Sequence, residues 1–147
     1  MESQVKDWFK PSAYGLILLM KKGYPCIFYG DYYGVKGKKS PHRKVLDMLL
    51  RARKEYAYGE EVDYFDHPNT IGFVRLGDSG HADSGLAVVI SNGEDGEKTM
   101  SVGENRKGEV WHEITGSVKD TVTIDEEGKG CFLVKGGKLA VWVKVKA

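Results

Sequence analysis

An α+β chain is predicted: a helix–strand–helix segment of the kind that builds an α/β barrel, followed by an antiparallel β-sandwich. Three observations lead there. Over residues 1–59, apolar residues recur at helical spacing on either side of one short aromatic run. Beyond Gly59 the texture changes to short alternating runs separated by glycine-bearing turns, as in sandwiches. The 147 residues are 41% hydrophobic and 29% charged, the balance of a folded globular chain rather than a disordered one.

The first element is a helix whose stripe runs from Val5 to Met20. Val5, Trp8, Phe9, Ser12, Ala13, Leu16, Ile17 and Met20 form its stripe, Ser12 being the only polar member. Pro11 should kink it or divide it in two, because proline cannot donate to the helix ladder. Gly23 is a candidate C-cap. The run Tyr24–Tyr29, closed by Gly30, predicts a short buried strand. Ser40-Pro41 then supplies an N-cap and a proline at the first helical position. Val45, Met48, Leu49, Ala52 and Tyr56 continue as a helical stripe up to Gly59. This order suits part of a barrel, not a whole domain. The boundary is placed there, with residues 1–59 in one unit and 60–147 in the other.

In the second unit the strand candidates are 71–74, 86–90, 99–102, 110–114, 121–124, 131–134 and 139–145. The last is the clearest. Leu139, Val141, Val143 and Val145 point one way, and Ala140, Trp142, Lys144 and Lys146 the other. Asn92-Gly93, Glu127-Gly128 and Gly136-Gly137 are turn signals between the runs.

A net charge of +1 without a long lysine run gives no field to draw nucleic acid or an anionic membrane. No apolar stretch is long enough for a membrane-spanning helix. The first residues lack the basic-then-apolar pattern of a signal peptide. Cys26 and Cys131, each in an apolar run, are expected as buried free thiols. The Ser, His and Asp within Gly80–Gly85 are expected to form a turn, since a catalytic triad is assembled in space rather than along the chain. Trp111-His112-Glu113 lacks the second histidine of a zinc-protease helix, and Gly34–Lys39 lacks phosphate-loop spacing.

More specific are the segments Trp8-Phe9-Lys10-Pro11, Gly23-Tyr24-Pro25, Phe28–Gly34, Arg51–Gly59, Asp63–His67 and Trp111–Gly116. In that order they resemble the C-terminal portion of the bacterial liquefying-type α-amylases of glycoside hydrolase family 13. The resemblance implies the seventh helix, eighth strand and eighth helix of a (β/α)8 barrel at 4–20, 24–29 and 41–58. It implies a Greek-key β-sandwich, domain C, at 60–147. The family's activity is endo-hydrolysis, with retention, of 1,4-α-glucosidic bonds in starch-like polysaccharides. Its catalytic carboxylates, one of them in an Asn-His-Asp motif, would lie upstream, and that motif does not occur here. A retaining enzyme needs two such groups about 5–5.5 Å apart. The resemblance therefore implies no catalytic residue in the chain and inactivity when it is alone. The partners implied are an α-glucan and the remainder of the barrel.

The same resemblance implies no cofactor in this chain and calcium in a full-length parent. Asn69 and Asn92 stand where some relatives place calcium-binding carboxylates, a weakened donor set. Asp31, after the eighth strand, is a candidate sugar contact or a turn residue. Trp111 is the candidate sugar platform, whereas Trp8 and Trp142 are expected in the core. Lys129 stands where some relatives carry a tryptophan, which counts against an added starch-binding spot. Two alternatives remain open at this point. One is a non-catalytic sandwich with a structural or weak α-glucan-binding role. The other is a piece that works only when docked on a separately encoded barrel. The compartment is left between cytoplasmic and secreted, the free cysteines leaning to the former.

Overall fold

Pro11 decides where the first helix starts. In this computed structural model, which describes residues 6–22 and 25–146, it takes the second position of α1 (Lys10–Leu19). Residues Asp7–Phe9 form a separate 3-10 turn ahead of it. That is the division expected of a residue that has no N–H to offer an interior turn. Val5, Gly23 and Tyr24, to which the sequence assigns a stripe position, a C-cap and a strand start, lie outside the described residues.

Residues 25–28 run without secondary structure and then close into the short helix α2 (Tyr29–Tyr33), so the expected strand at 24–29 is corrected. A strand exists only through its ladder, and none of the described strands pairs with this segment. Helix α3 (Arg43–Glu55) begins later and ends sooner than the expected 41–58. Ser40 still serves its start: its Oγ accepts from the His42 N–H at 3.1 Å and donates to the Asp31 carbonyl. Leu46, Leu49 and Ala52 form its buried face.

All seven strand candidates are strands. They are β2 (Thr70–Arg75), β3 (Leu86–Ser91), β4 (Gly96–Ser101), β5 (Val110–Glu113), β6 (Thr121–Thr123), β7 (Lys129–Val134) and β8 (Leu139–Lys144). An eighth, β1 (Glu61–Tyr64), carries two carboxylates in four residues and gives no apolar alternation to read. Its partner β2 specifies it, in register Glu61 to Arg75. The order β1-β2-β3-β8-β5-β6 makes one antiparallel sheet, with β8 inserted between β3 and β5, and β4 pairs with β7 in a second.

The period of two along each strand then builds two cores. Phe73, Val88, Ile90, Val141 and Val143 face α1 and α3, joining Leu18, Leu19, Leu46 and Leu49. Their neighbours Val74, Ala87, Val89, Ala140 and Trp142 face the β4–β7 pair, meeting Met100, Phe132 and Val134. Each fully buried valine, leucine, isoleucine, phenylalanine or methionine among them contributes about 1.5–3 kcal/mol. The large sheet is thus covered on both faces. The helical segment is fastened at its join: buried Arg75 donates to the carbonyls of Leu19 (3.0 Å) and Gly59 (3.1 Å), and Arg53 to that of Leu18 (2.7 Å). Gly59 adopts φ +83°, and a Cβ there would lie 2.1 Å from the Gly77 carbonyl oxygen.

Trp142 is in the core as expected, but both cysteines are exposed. Cys131 falls on the outer phase of β7, between inward Gly130 and Phe132, and its Sγ lies 3.3 Å from Glu97. An apolar run alone does not say which phase of a strand faces in.

Candidate functional site

The turn that carries Asp31 is built from three directions. α1 supplies Lys10 and Tyr14, α2 supplies Asp31 itself, and the lead into α3 supplies Ser40 and His42. Asp31 is 8% exposed. Its Oδ1 accepts from Lys10 Nζ at 2.8 Å and its Oδ2 from the Tyr14 hydroxyl at 2.6 Å; that hydroxyl in turn accepts from the Phe28 N–H at 3.1 Å. Burial pushes the Asp31 carboxyl up, but the bonds from Lys10 and Tyr14 together outweigh it and hold the group below the usual carboxylate range. Lys10 is correspondingly raised, chiefly by its bond to Asp31. Tyr14 is raised by burial and then by Asp31. His42 Nε2 is buried without a hydrogen-bond partner, 4.0 Å from Asp7. Lys10, Asp31, Ser40 and His42 line a cavity of about 290 Å³. Each carboxylate oxygen of Asp31 already accepts one bond from the protein, and the residue is buried, so the group is turned inward rather than presented to solvent.

Outside this cluster stands an exposed aromatic ridge, beginning at Phe28 and Tyr29, which the sequence expected to be buried. Phe28, Tyr29, Tyr33 and Val35 are all more than half exposed. Tyr29 and Tyr33 lie 4.6 Å apart, and the Arg43 guanidinium sits 4.3 Å over the Tyr32 ring. Gly34 (φ +89°) turns the chain back beneath the ridge, where a Cβ would strike the Lys38 carbonyl.

Trp111 is not a platform. Its ring is fully buried against Phe132, at 5.9 Å, and its Nε1 donates to Glu109 at 3.0 Å. The alternation of β5 places it inward. The tryptophan in the open is Trp8, 51% exposed where a core position was expected. It lies in the 3-10 turn before α1, so the helical stripe does not govern it.

Asn69 and Asn92 do meet. The Asn92 N–H donates to the Asn69 carbonyl at 3.1 Å, and both line one groove with Asp66 and His67. As donors for calcium they do not fit. Asp66 is bound to Lys98 at 2.7 Å, His67 Nδ1 accepts from the Asn69 N–H at 3.1 Å, and Asp95 accepts from the Gly136 N–H at 2.8 Å. Among the described residues no group of three or more histidine, cysteine or acidic side chains gathers to hold a metal.

Two further arrangements bear on chemistry. Glu61 and Asp63 are neighbours on one side of β1, and burial, then Asp63, raise the Glu61 carboxyl. They sit side by side on an edge strand, not opposed across a cleft. In the Gly80–Gly85 turn, His81 pairs with Asp78 at 2.7 Å and stacks on Tyr58, while Asp83 pairs with Lys144 at 2.9 Å. Ser84 Oγ accepts from the Asp78 N–H, so these side chains turn to different partners and form no triad.

The chain is 49% identical over 144 residues to a glucan 1,4-α-maltohexaosidase of Bacillus sp. strain 707, a match that covers 97% of this chain and 28% of the relative. It is 48% identical over 148 residues to an α-amylase of Bacillus licheniformis (98% and 29%). With a cytoplasmic α-amylase of Escherichia coli K12 the identity is 40% over 154 residues (97% and 31%). The chain thus spans under a third of the length of these relatives, matching their C-terminal portion. No protein-family model matches. Among solved structures, an α-amylase from Malbranchea cinnamomea shares the fold at a TM-score of 0.69 and 12% identity, over 94% of this chain and 33% of that one. An Anoxybacillus α-amylase does so at a TM-score of 0.65 and 15% identity, over 93% and 32%.

Proposed function

We propose that this chain, which corresponds over nearly its whole length to the C-terminal portion of bacterial α-amylases, is the closing part of such an enzyme's barrel together with its domain C. The observation that carries this is the identity of 48–49% sustained across 97–98% of the chain. The activity proposed for the complete protein is retaining endo-hydrolysis of 1,4-α-glucosidic bonds in starch-like polysaccharides. Residues 1–59 are assigned to the barrel and 60–147 to domain C.

In this assignment the exposed ridge of Phe28, Tyr29, Tyr33 and Val35 is the surface that meets the rest of the barrel. The run 25–28, which pairs with none of the described strands, leads into that ridge. Asp31 acts as a positioning residue. Drawn inward by Lys10 and Tyr14, it fixes the α2 turn and the angle at which the ridge is presented. Attack on a glycosidic bond needs one carboxylate as nucleophile and a second as proton donor, opposed at about 5–5.5 Å. The side-by-side pair Glu61 and Asp63 does not offer that geometry, so the chain alone is assigned no catalytic role. Calcium, where the complete protein holds it, is assigned to residues beyond Asn69 and Asn92.

Reading the coding DNA upstream of Met1 tests the assignment. An in-frame barrel sequence containing Asn-His-Asp is expected. An unrelated sequence fused in frame would refute it.

A further inference from the structure

A cleft of about 340 Å³ opens at the end of α1, where that helix meets the last turn of α3 and the end of β2. Its lining carries four cations, Lys21, Arg53, Lys54 and Arg75, and no carboxylate. Three elements bring them together: Lys21 follows α1, Arg53 and Lys54 stand in the last turn of α3, and Arg75 closes β2. In a chain of net charge +1 this is a strong local excess.

The arginines are fixed by the end of α1. Its last carbonyls have no partner within the helix, and Arg53 donates to that of Leu18 while Arg75 donates to those of Leu19 and Gly59. A carbonyl orients a guanidinium but cancels none of its charge. A guanidinium also carries more N–H donors than these bonds use. Among the described residues, neither Arg53, Lys54 nor Arg75 pairs with a carboxylate. Glu60 and Glu61 are both taken up by Lys21, the first by its Nζ at 2.7 Å and the second by its N–H at 2.6 Å. Burial pushes the Arg75 guanidinium down; Glu61 opposes that shift and Arg53 adds to it.

The missing component is an acceptor with enough oxygens and charge for several donors at once. A tetrahedral oxyanion meets two guanidiniums and an ammonium together, where a chloride ion offers no directed lone pairs to the planar forks. The cations also converge on one small cleft instead of forming a stripe, which suits a single phosphate rather than a nucleic-acid strand.

We propose that this cleft is an oxyanion site that takes one phosphate group, held by Arg53, Lys54 and the inner guanidinium of Arg75. Titrating the chain with inorganic phosphate while recording the arginine side-chain N–H resonances tests it. The signals of Arg53 and Arg75 are expected to move in a saturable way. Those of Arg51 and Arg106, paired with Glu55 at 3.2 Å and Glu109 at 3.4 Å, should stay still as internal references. Chloride at matched ionic strength should move none of the four. Lys54→Gln alters an exposed side chain and should weaken phosphate binding about fivefold. Arg53→Gln, which keeps an amide able to reach Leu18, should weaken it roughly tenfold or more. Phenyl phosphate identifies the source of the group: equal affinity assigns the site to phosphate esters, and binding of inorganic phosphate alone assigns it to the free ion. Signals of Arg53 and Arg75 that stay still or follow chloride equally overturn the proposal, as does an Arg75 response unchanged in both variants.

Discussion

Asp31 and Glu113 are the two buried acids whose surroundings are most fully specified, and each makes its own prediction. For Asp31, the carboxyl lies below its usual range in the folded state. A group depressed on folding stabilises at pH values above its unfolded pKa, and that contribution is lost as pH falls through the folded one. Asp31→Asn should therefore cost about 2 kcal/mol at neutral pH, and the gap to the parent chain should close on acidification below the ordinary carboxylate range. Urea unfolding of both proteins across that range checks it; a gap that widens in acid contradicts it. Glu113→Ala leaves three backbone N–H groups without their acceptor and should cost about 2–4 kcal/mol. Trp111→Ala, at a fully buried site, should cost about 3–5 kcal/mol by the same measurement. Neither acid's surroundings were legible in sequence. The partners of Asp31 come from another element, 17 and 21 residues away, and one of the three N–H groups on Glu113 comes from Val141 of β8. Trp111 and Trp8 exchanged their expected exposures for a related reason: one sits on the inward phase of a strand, the other in a turn outside the helix it seemed to continue.

At the level of elements, the seven strand candidates all stand, because alternation and glycine turns are local signals that survive folding. Two elements were beyond that kind of signal. β1 is a strand because β2 offers an edge to it, and 25–28 is not one because the described strands offer it none. The contact between the helices and the large sheet tells the same story. Phe73, Val88, Ile90, Val141 and Val143 are buried by α1 and α3, a face that sandwich periodicity shows as apolar without saying what covers it. Residues 60–147 expressed alone should consequently expose this face, bind a hydrophobic dye and unfold with reduced cooperativity. A sharp, dye-silent transition at the temperature of the whole chain would contradict the shared core. Gly59→Ala should act in the same direction, since it combines a positive φ with a clash against Gly77.

At the level of the whole molecule, the texture beyond Gly59 was enough to read that part of the chain as an antiparallel sandwich. The layer of helices over one face of the large sheet was not legible, because contacts across the boundary leave no periodic trace in either half. What the molecule contains is a closed sandwich, two helices docked on it, an inward-turned acid and an outward-turned aromatic ridge. Among the described residues, Glu61 and Asp63 sit side by side on β1 and Asp31 is turned inward, whereas a retaining glycosidase opposes two carboxylates at about 5–5.5 Å. The most direct test is to incubate the purified chain with soluble starch and follow the release of reducing ends. We predict a rate indistinguishable from the protein-free blank. Sustained turnover at about 1–1000 per second, the ordinary range for an enzyme, would contradict the account.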